Sequence, residues 1–298
     1  MACPKGAKGF LAVFPVSSAI GPGPDLEIKG GKWRNEMAIS LASLRKVTAT
    51  EPPRILLYGV PGIGKTTLAA EFPNPVFIQT EQGTPGDLEL NSFGTISSFG
   101  DVLDAFGALY AEEHDFRTVV IDTADALEPL IWKQACEENG WKSIEDPGYG
   151  KGYVAAEDVW RRLIEAMNAL RTDRNMIVLL LAHCETVRYE PPGMEPYNRY
   201  HIKLHKRGAA LLSENVDLLA FANYDVNIKK TDVGFNKKTT HAEGGGIRLI
   251  HTEERPAFLA KNRYGMPAKI TYRRGLGYSE LAKYFPGVAE EAPAEAAE

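Results

Sequence analysis

A glycine-rich segment has the residue types and spacing that indicate phosphate chemistry. Residues 59–66 read GVPGIGKT, with an apolar stretch before them and a helix-forming stretch after them. Glycines let backbone N–H groups close around phosphate oxygens, and a helix that begins there adds partial positive charge. The lysine can reach the β- and γ-phosphates and the threonine hydroxyl can bind Mg²⁺, so the pattern predicts a site for Mg²⁺ and ATP. The candidate nucleotide-binding residues are Gly59, Pro61, Gly62, Gly64, Lys65, Thr66 and Thr67.

Two acidic residues that follow apolar runs are candidates for a metal ligand and a catalytic base. Residues 118–122 read TVVID, and an aspartate in the position of Asp122 holds Mg²⁺ together with Thr66 in P-loop enzymes. An aspartate that merely caps the next helix fits the same local pattern. The next residue is Thr123 rather than a glutamate, so the base has to come from elsewhere. Glu81, after the apolar run that follows the loop, is the predicted base for the attacking water; a glutamate in a surface turn is the alternative.

The elements that must position these residues alternate between strand and helix patterns from residue 37 to residue 285. Buried strands are expected at residues 54–58, 76–80, 118–122 and 176–182. Helices are expected at residues 65–71, 99–113, 124–139, 155–171 and 206–214, with a long polar loop at 185–205. This alternation indicates one α/β domain with a mainly parallel central sheet flanked by helices. Residues 1–36 and 286–298 lack such patterning and are predicted to be disordered tails.

Composition narrows the classes of protein further. The formal net charge is −5, which weakly disfavours a nucleic-acid partner but leaves local basic patches open. No apolar run reaches the roughly 18 residues that a membrane helix needs, so no membrane association is expected. Cys3, Cys136 and Cys184 form no CxxC pair, which predicts neither a zinc site nor a disulfide framework and favours a cytoplasmic location.

The motif segments occur together in a combination typical of one family. They are residues 55–84, 118–123, 146–153, 176–183 and 260–267. With them the chain resembles the phage-encoded RecA-like P-loop ATPases that act as minimal recombinases and single-strand annealing proteins (the short Sak group, AAA-domain phage nucleotide-binding proteins). The resemblance implies a RecA-like core, a ring or filament of identical subunits, and single-stranded DNA and a single-stranded-DNA-binding protein as partners in a bacterial host cell. Residues 1–36 depart from the family pattern, which begins near Met37, and look like an upstream extension or an over-called start.

Three further residues have roles that the resemblance implies. RecA-like proteins carry a polar residue at the position of His183 that senses the γ-phosphate and relays its presence to the DNA loops; a satisfied core histidine is the alternative. Lys261 and Arg263 are similar to the Lys-x-Arg motif of RadA and of the replicative helicase DnaB, whose two cations reach the γ-phosphate of a neighbouring subunit. The alternative for this pair is an exposed basic turn. The functional interpretation requires an oligomer, because one subunit cannot complete its own site.

Two loops combine cations with aromatic residues. They cover residues 141–153 and 185–207, and in the second one five cations accompany three glutamates and three tyrosines. Cations for phosphates and aromatic rings for bases are the composition of single-strand binding, which many solvated loops share. The resemblance favours the first interpretation. The candidate DNA-binding residues are Lys151, Tyr153, Arg188, Tyr197, Arg199, Tyr200, Lys203, Lys206 and Arg207.

Together these features predict an ATPase that couples Mg²⁺-dependent ATP hydrolysis to single-stranded DNA binding in recombination or annealing. A ring-forming motor of the DnaB or RadA type is one alternative, although the chain has little room for the additional domain of such motors. An ATP-binding switch or scaffold without DNA activity is the other. The candidate catalytic residues are Glu81, Lys65, Asp122, His183, Lys261 and Arg263.

Overall fold

Apolar runs form the interior strands of a large sheet. The computed structural model describes residues 44, 46, 51–83, 86–225, 227–232, 238–243 and 246–286. The strands are β1 (Arg54–Gly59), β2 (Pro75–Gln79), β3 (Asn91–Thr95), β4 (Thr118–Asp122), β5 (Ile177–Tyr189), β6 (Tyr197–Ile202), β7 (Leu218–Tyr224), β8 (Asn227–Asp232), β9 (Lys238–Glu243), β10 (Arg248–His251), β11 (Lys261–Asn262) and β12 (Lys269–Tyr272). β4 is buried at every position and β1 at every position but its first. Burial on both faces of a sheet requires successive apolar residues, which is why these strands read as continuous apolar runs.

Helices pack on the sheet and complete the core. They are α1 (Lys65–Ala69), α2 (Phe99–Ala111), α3 (Ala124–Asn139), α4 (Lys151–Asp173), α5 (Lys206–Asn215) and α6 (Gly277–Ala282). Ile55 and Leu57 of β1 belong to one buried cluster with Leu68 of α1. Side chains alternate along a strand, so Leu56 and Tyr58, both fully buried, point to the opposite face. α4 buries an apolar stripe that includes Val159, Leu163 and Met167, and it packs against α2, α3, α5 and β5. The α/β prediction is confirmed.

The strand order places β1 near the centre of the sheet. The order is β12-β10-β7-β1-β5-β4-β2-β3, with β11 paired to β7 and β6 paired to β5. The strands from β7 to β3 pair in parallel, whereas β6, β10, β11 and β12 join antiparallel. β8 and β9 pair only with each other among the described strands. Ligands of parallel sheets bind beyond the carboxyl ends of the strands, and the residues that follow β1, β2 and β4 converge at that edge.

Three segments differ from the predicted elements. The polar loop expected at 185–205 is largely a hairpin, because β5 continues to Tyr189 and its residues 184–189 pair with β6. α4 begins at Lys151, after Gly150 with a left-handed φ of 69°, and so includes the end of the loop expected at 141–153. β3 was not predicted, since all five of its residues are exposed and it has no apolar pattern.

Most residues of the two predicted disordered tails are not among those that the structure describes. Of residues 1–36 and 286–298 the structure describes Pro286 alone, so the domain limits at 37 and 285 stay predictions. The described residues from 51 onward belong to one compact unit, Thr50–Glu298. Among the residues that the structure describes, no helix combines the length and the apolar character needed to cross a membrane.

Candidate nucleotide site

The glycine-rich segment forms a tight turn between β1 and α1. Gly62 and Gly64 have φ values of 72° and 99°, in the left-handed region that favours glycine. Lys65 begins α1, and its buried Nζ donates to the carbonyl oxygens of Gly59 and Val60 at 3.3 and 3.5 Å. Burial lowers the pKa of Lys65, and long hydrogen bonds to neutral carbonyls are weak partners for an ammonium, so an anionic phosphate would bind it more strongly. The other two candidate ligands in this segment are Pro61, exposed in the turn, and Thr67, half-buried in α1.

Thr66 and Asp122 form the pair expected of a magnesium site. The Thr66 hydroxyl donates to Asp122 Oδ2 at 2.9 Å, and burial raises the pKa of the Asp122 carboxyl. The alternative role of Asp122 as a helix cap is not what the structure shows, since Thr123 caps α3 by accepting from the Ala126 N–H. A hydroxyl and a buried carboxylate are hard oxygen donors, which Mg²⁺ prefers. These two residues therefore fit the metal that the sequence predicts.

Glu81 directly follows Thr80, a residue whose hydrogen bonds connect the end of β2 to the end of β4. The Thr80 N–H donates to the Asp122 carbonyl at 2.9 Å, and the Thr80 hydroxyl donates to the Thr123 carbonyl at 2.7 Å. Glu81 itself is half-buried, and its charge adds to the effect of burial on Asp122. The predicted base and the predicted metal ligand thus share the carboxyl edge of the sheet with the glycine-rich turn.

His183 contacts a second aspartate that the sequence analysis missed. The His183 N–H donates to Asp125 Oδ1 at 2.9 Å, and the ring Nδ1 lies 2.9 Å from Oδ2. Burial alone would raise the pKa of Asp125, but the hydrogen bonds from His183 hold it below its ordinary value. Lys203 Nζ lies 4.0 Å from the same Oδ2. His183 lies within β5 rather than at its end, so this cluster links the first turn of α3 to the base of the β5–β6 hairpin.

Part of the predicted DNA-binding set lies exposed on the hairpin and just after it. The Arg188 side chain is 69% exposed and pairs with the equally exposed Glu190, an ion pair of low strength. Lys203 is 60% exposed, and Lys206 is exposed at the start of α5. Tyr197, half-buried, packs edge-on against Tyr189 with ring centroids 5.5 Å apart. These residues keep cations and aromatic edges accessible to a ligand.

Arg199 and Tyr200 of the same hairpin point into the protein. The Arg199 side chain is 7% exposed, donates to Glu254 at 2.9 Å and lies over the Tyr189 ring at 4.8 Å. The burial of Arg199 contradicts its expected phosphate contact, and its charge is balanced by Glu254, whose own side chain is 57% exposed. The ring of Tyr200 is half-buried and stacks on Phe221 with ring centroids 5.0 Å apart, so one of its faces is occupied within the protein.

The other predicted DNA-binding residues flank the start of α4 and of α5. Tyr153 stacks on His205 with centroids 4.0 Å apart, and its hydroxyl donates to Glu145. Arg207 forms an ion pair with Glu157 on α4. Lys151 is exposed in the first turn of α4. Lys151 and Arg207, whose side chain is 42% exposed, are accessible cations, and the ring of Tyr149, which was not among the predicted DNA-binding residues, is fully exposed nearby.

Lys261 and Arg263 lie at the amino edge of the sheet, away from the glycine-rich turn of their own chain. Lys261 Nζ donates to the Ser213 and Glu214 carbonyls at the end of α5, at 2.9 and 3.0 Å. Arg263 donates to Asp217 at 2.9 Å while its side chain remains 53% exposed. Both residues have partners within the chain, and contact with a neighbouring subunit's phosphate stays a prediction.

Two more residues near the site were not predicted from the sequence. Glu128, one turn after Asp125 on α3, is buried and accepts the His205 N–H at 2.9 and 3.1 Å. Burial raises the pKa of Glu128 to about 7. Arg248 begins β10, and its guanidinium lies against Gly64. Arg248 is far from the loop in sequence, so spacing could not reveal it, whereas Glu128 lies at helical spacing from Asp125.

Comparison with known proteins identifies a family. No curated protein matches the chain. Among solved structures, that of the RadB recombinase aligns over 71% of this chain and 86% of its own, with 15% sequence identity and a TM-score of 0.40. The model of an AAA domain family, AAA_24, matches residues 51–264, which is most of the chain and includes the whole nucleotide site. The chain therefore belongs to this AAA domain family.

Proposed function

We propose that the chain binds and hydrolyses ATP with Mg²⁺. The observation that carries the proposal is the contact between Thr66 of the glycine-rich turn and Asp122 at the end of β4, with buried Lys65 beside them. Glu81 follows the neighbouring strand at the same edge. A phosphate cradle, a metal-binding oxygen pair and a carboxylate base are the parts that phosphoryl transfer to water requires.

Each residue has a step in that reaction. Backbone N–H groups of the turn would hold the phosphate chain, and Lys65 would exchange its two carbonyl contacts for β- and γ-phosphate oxygens. Thr66 and Asp122 would hold Mg²⁺, which supplies charge neutralisation for the phosphates when bound. Glu81 would accept a hydrogen bond from the attacking water and take its proton as the water oxygen bonds to the γ-phosphorus and the bond to ADP breaks.

Phosphate release from ATP tests this proposal. Wild-type protein should release phosphate in a reaction that EDTA abolishes, and Lys65→Ala should lose most nucleotide affinity, since the phosphates lose the cation of the loop. Lys133→Ala is the matched control, because Lys133 is exposed on α3 with an i,i+4 ion pair. Loss of activity in both variants, or none in Lys65→Ala, would contradict the assignment.

A second function, single-stranded DNA binding coupled to ATP, is supported by the cluster of His183, Asp125 and Lys203. This cluster connects α3, which begins after Asp122, to the β5–β6 hairpin. Arg188 is exposed on that hairpin and Lys203 directly after it. If bound nucleotide moved Asp125, the positions of Lys203 and of the base of the hairpin would change with it. We therefore propose that ATP binding strengthens DNA binding by this surface, as in the recombination and annealing proteins that the sequence resembles.

Fluorescence anisotropy of a labelled oligonucleotide over a salt series tests the second function. Arg188→Ala and Lys203→Ala should weaken binding for all sequences alike and flatten its salt dependence, because each removes a phosphate contact. Lys133→Ala should leave both unchanged. If wild-type protein shows no ATP-dependent binding at low salt, the switch or scaffold alternative replaces this proposal, and directional unwinding would favour the ring motor.

We also propose that the chain forms an oligomer and that it is encoded by a phage. Trans action by Lys261 and Arg263 requires a ring or filament, and a phage origin and a single-stranded-DNA-binding partner follow from the sequence resemblance. Mixing Arg263→Ala with Glu81→Gln subunits tests assembly, since some interfaces then combine an intact base with an intact arginine. Partial recovery of ATPase activity is expected; none at any ratio, despite co-assembly, would leave Arg263 as the partner of Asp217.

A further inference from the structure

A row of three residues touches the glycine-rich turn on the side away from the metal ligands. Tyr224, Arg248 and Tyr272 lie directly opposite one another on β7, β10 and β12. The Tyr224 hydroxyl donates to the Gly62 carbonyl at 3.1 Å. A Cβ atom on Gly64 would stand 3.0 Å from Arg248 Nη1 and 3.5 Å from the Tyr272 ring. The absence of a side chain at Gly64 thus brings a guanidinium and an aromatic ring onto the loop.

The positions of the metal and base residues set the direction of a bound nucleotide. Asp122 ends β4 and Glu81 comes shortly after β2, and both strands lie beyond β5 on one side of β1. The γ-phosphate and the attacking water have to face that side. A triphosphate is a linear chain, so its nucleoside leaves the turn on the other side of β1, where β7, β10 and β12 lie. Arg248 is therefore next to the expected path of the nucleoside.

A recess beside Arg248 has room for a planar ring. Its volume is about 400 Å³, and it is lined by Gly246, Ile247, Arg248, Thr271, Tyr272 and Arg273. Tyr272 is buried, and its hydroxyl donates to Glu71 at 3.2 Å, so its ring is held in place. The Arg248 guanidinium carbon lies 5.8 Å from the centre of that ring. A guanidinium is planar and weakly hydrated, and it stacks on aromatic rings in a way that an ammonium does not.

We propose that Arg248 and this recess hold the nucleobase of the bound nucleoside triphosphate, with the base stacked on the guanidinium. The inference rests on the ATP binding proposed above. It adds a residue that would bind the nucleoside to the residues of the glycine-rich turn that would bind the phosphates. It makes Arg248 a binding residue of the same subunit, in contrast to Lys261 and Arg263, whose proposed action is in trans.

Calorimetric titration with ATP and with inorganic tripolyphosphate, both with Mg²⁺, separates the nucleoside from the phosphates. Arg248→Ala should weaken ATP binding about ten-fold and change tripolyphosphate binding less than about two-fold, because only ATP has a base to stack. Arg248→Lys keeps the positive charge but removes the planar guanidinium, so this variant should bind both probes as Arg248→Ala does. Lys65→Ala should weaken both probes. Circular dichroism of each variant establishes that it is folded.

Arg255→Ala is the matched control, since Arg255 is an exposed arginine beyond the far end of β10 that pairs with Glu253. It should bind both probes as wild type does. Equal weakening of ATP and tripolyphosphate by Arg248→Ala, full ATP affinity in that variant, or full recovery by Arg248→Lys would each overturn the stacking role while leaving ATP binding intact. A wild-type chain that binds neither probe would overturn the proposed function itself, and the nucleobase site with it.

Discussion

Two buried aspartates at opposite edges of the sheet have opposite electrostatic environments. Asp122, at the carboxyl edge, accepts one side-chain hydrogen bond, from Thr66, and burial raises its pKa. Asp217, at the amino edge, accepts hydrogen bonds from the backbone and guanidinium of Arg54 and from Arg263, and it forms an ion pair with Arg171 at 3.4 Å. Burial alone would raise the pKa of Asp217, but the hydrogen bonds and charge of Arg54 overcome it and hold the pKa low.

The difference indicates which aspartate is suited to bind a ligand and which one stabilises the fold. A carboxylate surrounded by arginines has its charge balanced within the fold and ties β1, β7 and α4 together. A buried carboxylate with a single hydroxyl partner destabilises the chain unless a cation binds it. Asp122 at the carboxyl edge therefore has the properties of a binding residue, and Asp217 at the amino edge has those of a structural residue.

Glu81→Gln should slow ATP hydrolysis by about two to four orders of magnitude, because it removes the base and keeps the shape of the side chain. ATP binding and the urea midpoint of unfolding should remain close to those of wild type. Single-turnover phosphate release and nucleotide titration measure the two effects. Near-normal turnover would remove Glu81 from the site.

Asp217→Asn should lower the free energy of unfolding by about 3–5 kcal/mol, since it leaves buried guanidinium groups without their counter-charge. The stabilisation by Asp217 is present above its ordinary pKa of 3.8 and is lost as pH falls through the lower folded value. Urea unfolding at pH 7 measures it. Asp158→Asn, in an exposed ion pair with Arg161, is the control and should change stability by less than about 0.5 kcal/mol. Equal effects of the two would contradict the contrast between the edges.

Glu128→Gln should raise the free energy of unfolding by about 2–3 kcal/mol at pH 8, because the glutamine still accepts the His205 N–H without a buried charge. The folded pKa of about 7 exceeds the ordinary 4.5, so the cost of ionising Glu128 appears as pH rises from 4.5 to 7. The difference between variant and wild type should grow across that window and then level off. Urea unfolding at several pH values measures it, with exposed Glu137→Gln of the same helix as control. A difference that does not depend on pH would show that Glu128 titrates normally.

Asp122→Asn should have the smallest effect on stability and the opposite sign to Asp217→Asn. Removal of a buried charge should raise the free energy of unfolding of the nucleotide-free chain by up to about 1 kcal/mol at neutral pH. This gain should shrink as pH falls toward the ordinary pKa of 3.8, where Asp122 protonates in both states. Mg²⁺-dependent ATP hydrolysis should be lost. Destabilisation by several kcal/mol instead would place Asp122 among the structural residues.

Much of the fold could be predicted from local patterns. The continuous apolar runs of β1, β4 and β5 and the apolar stripe of α4 are strong signals because each reflects burial of successive or periodic residues. The hairpin after His183 and the exposed strand β3 escaped prediction, since their pairing depends on neighbouring backbone rather than on apolar residues. The glycine-rich turn, with Lys65 and Thr66 in adjacent positions, needed no tertiary information.

The sequence by itself determined the glycine-rich turn that we propose as the phosphate site, because backbone conformation and adjacent side chains within eight residues create it. Only the tertiary structure decided which distant residues face that site and which are neutralised inside the protein. Arg199 and Arg248 are both arginines on strands, yet Arg199 is buried and paired with Glu254, whereas Arg248 lies against Gly64. The side-chain type specifies the charge, whereas strand pairing specifies where the charge lies and what it contacts.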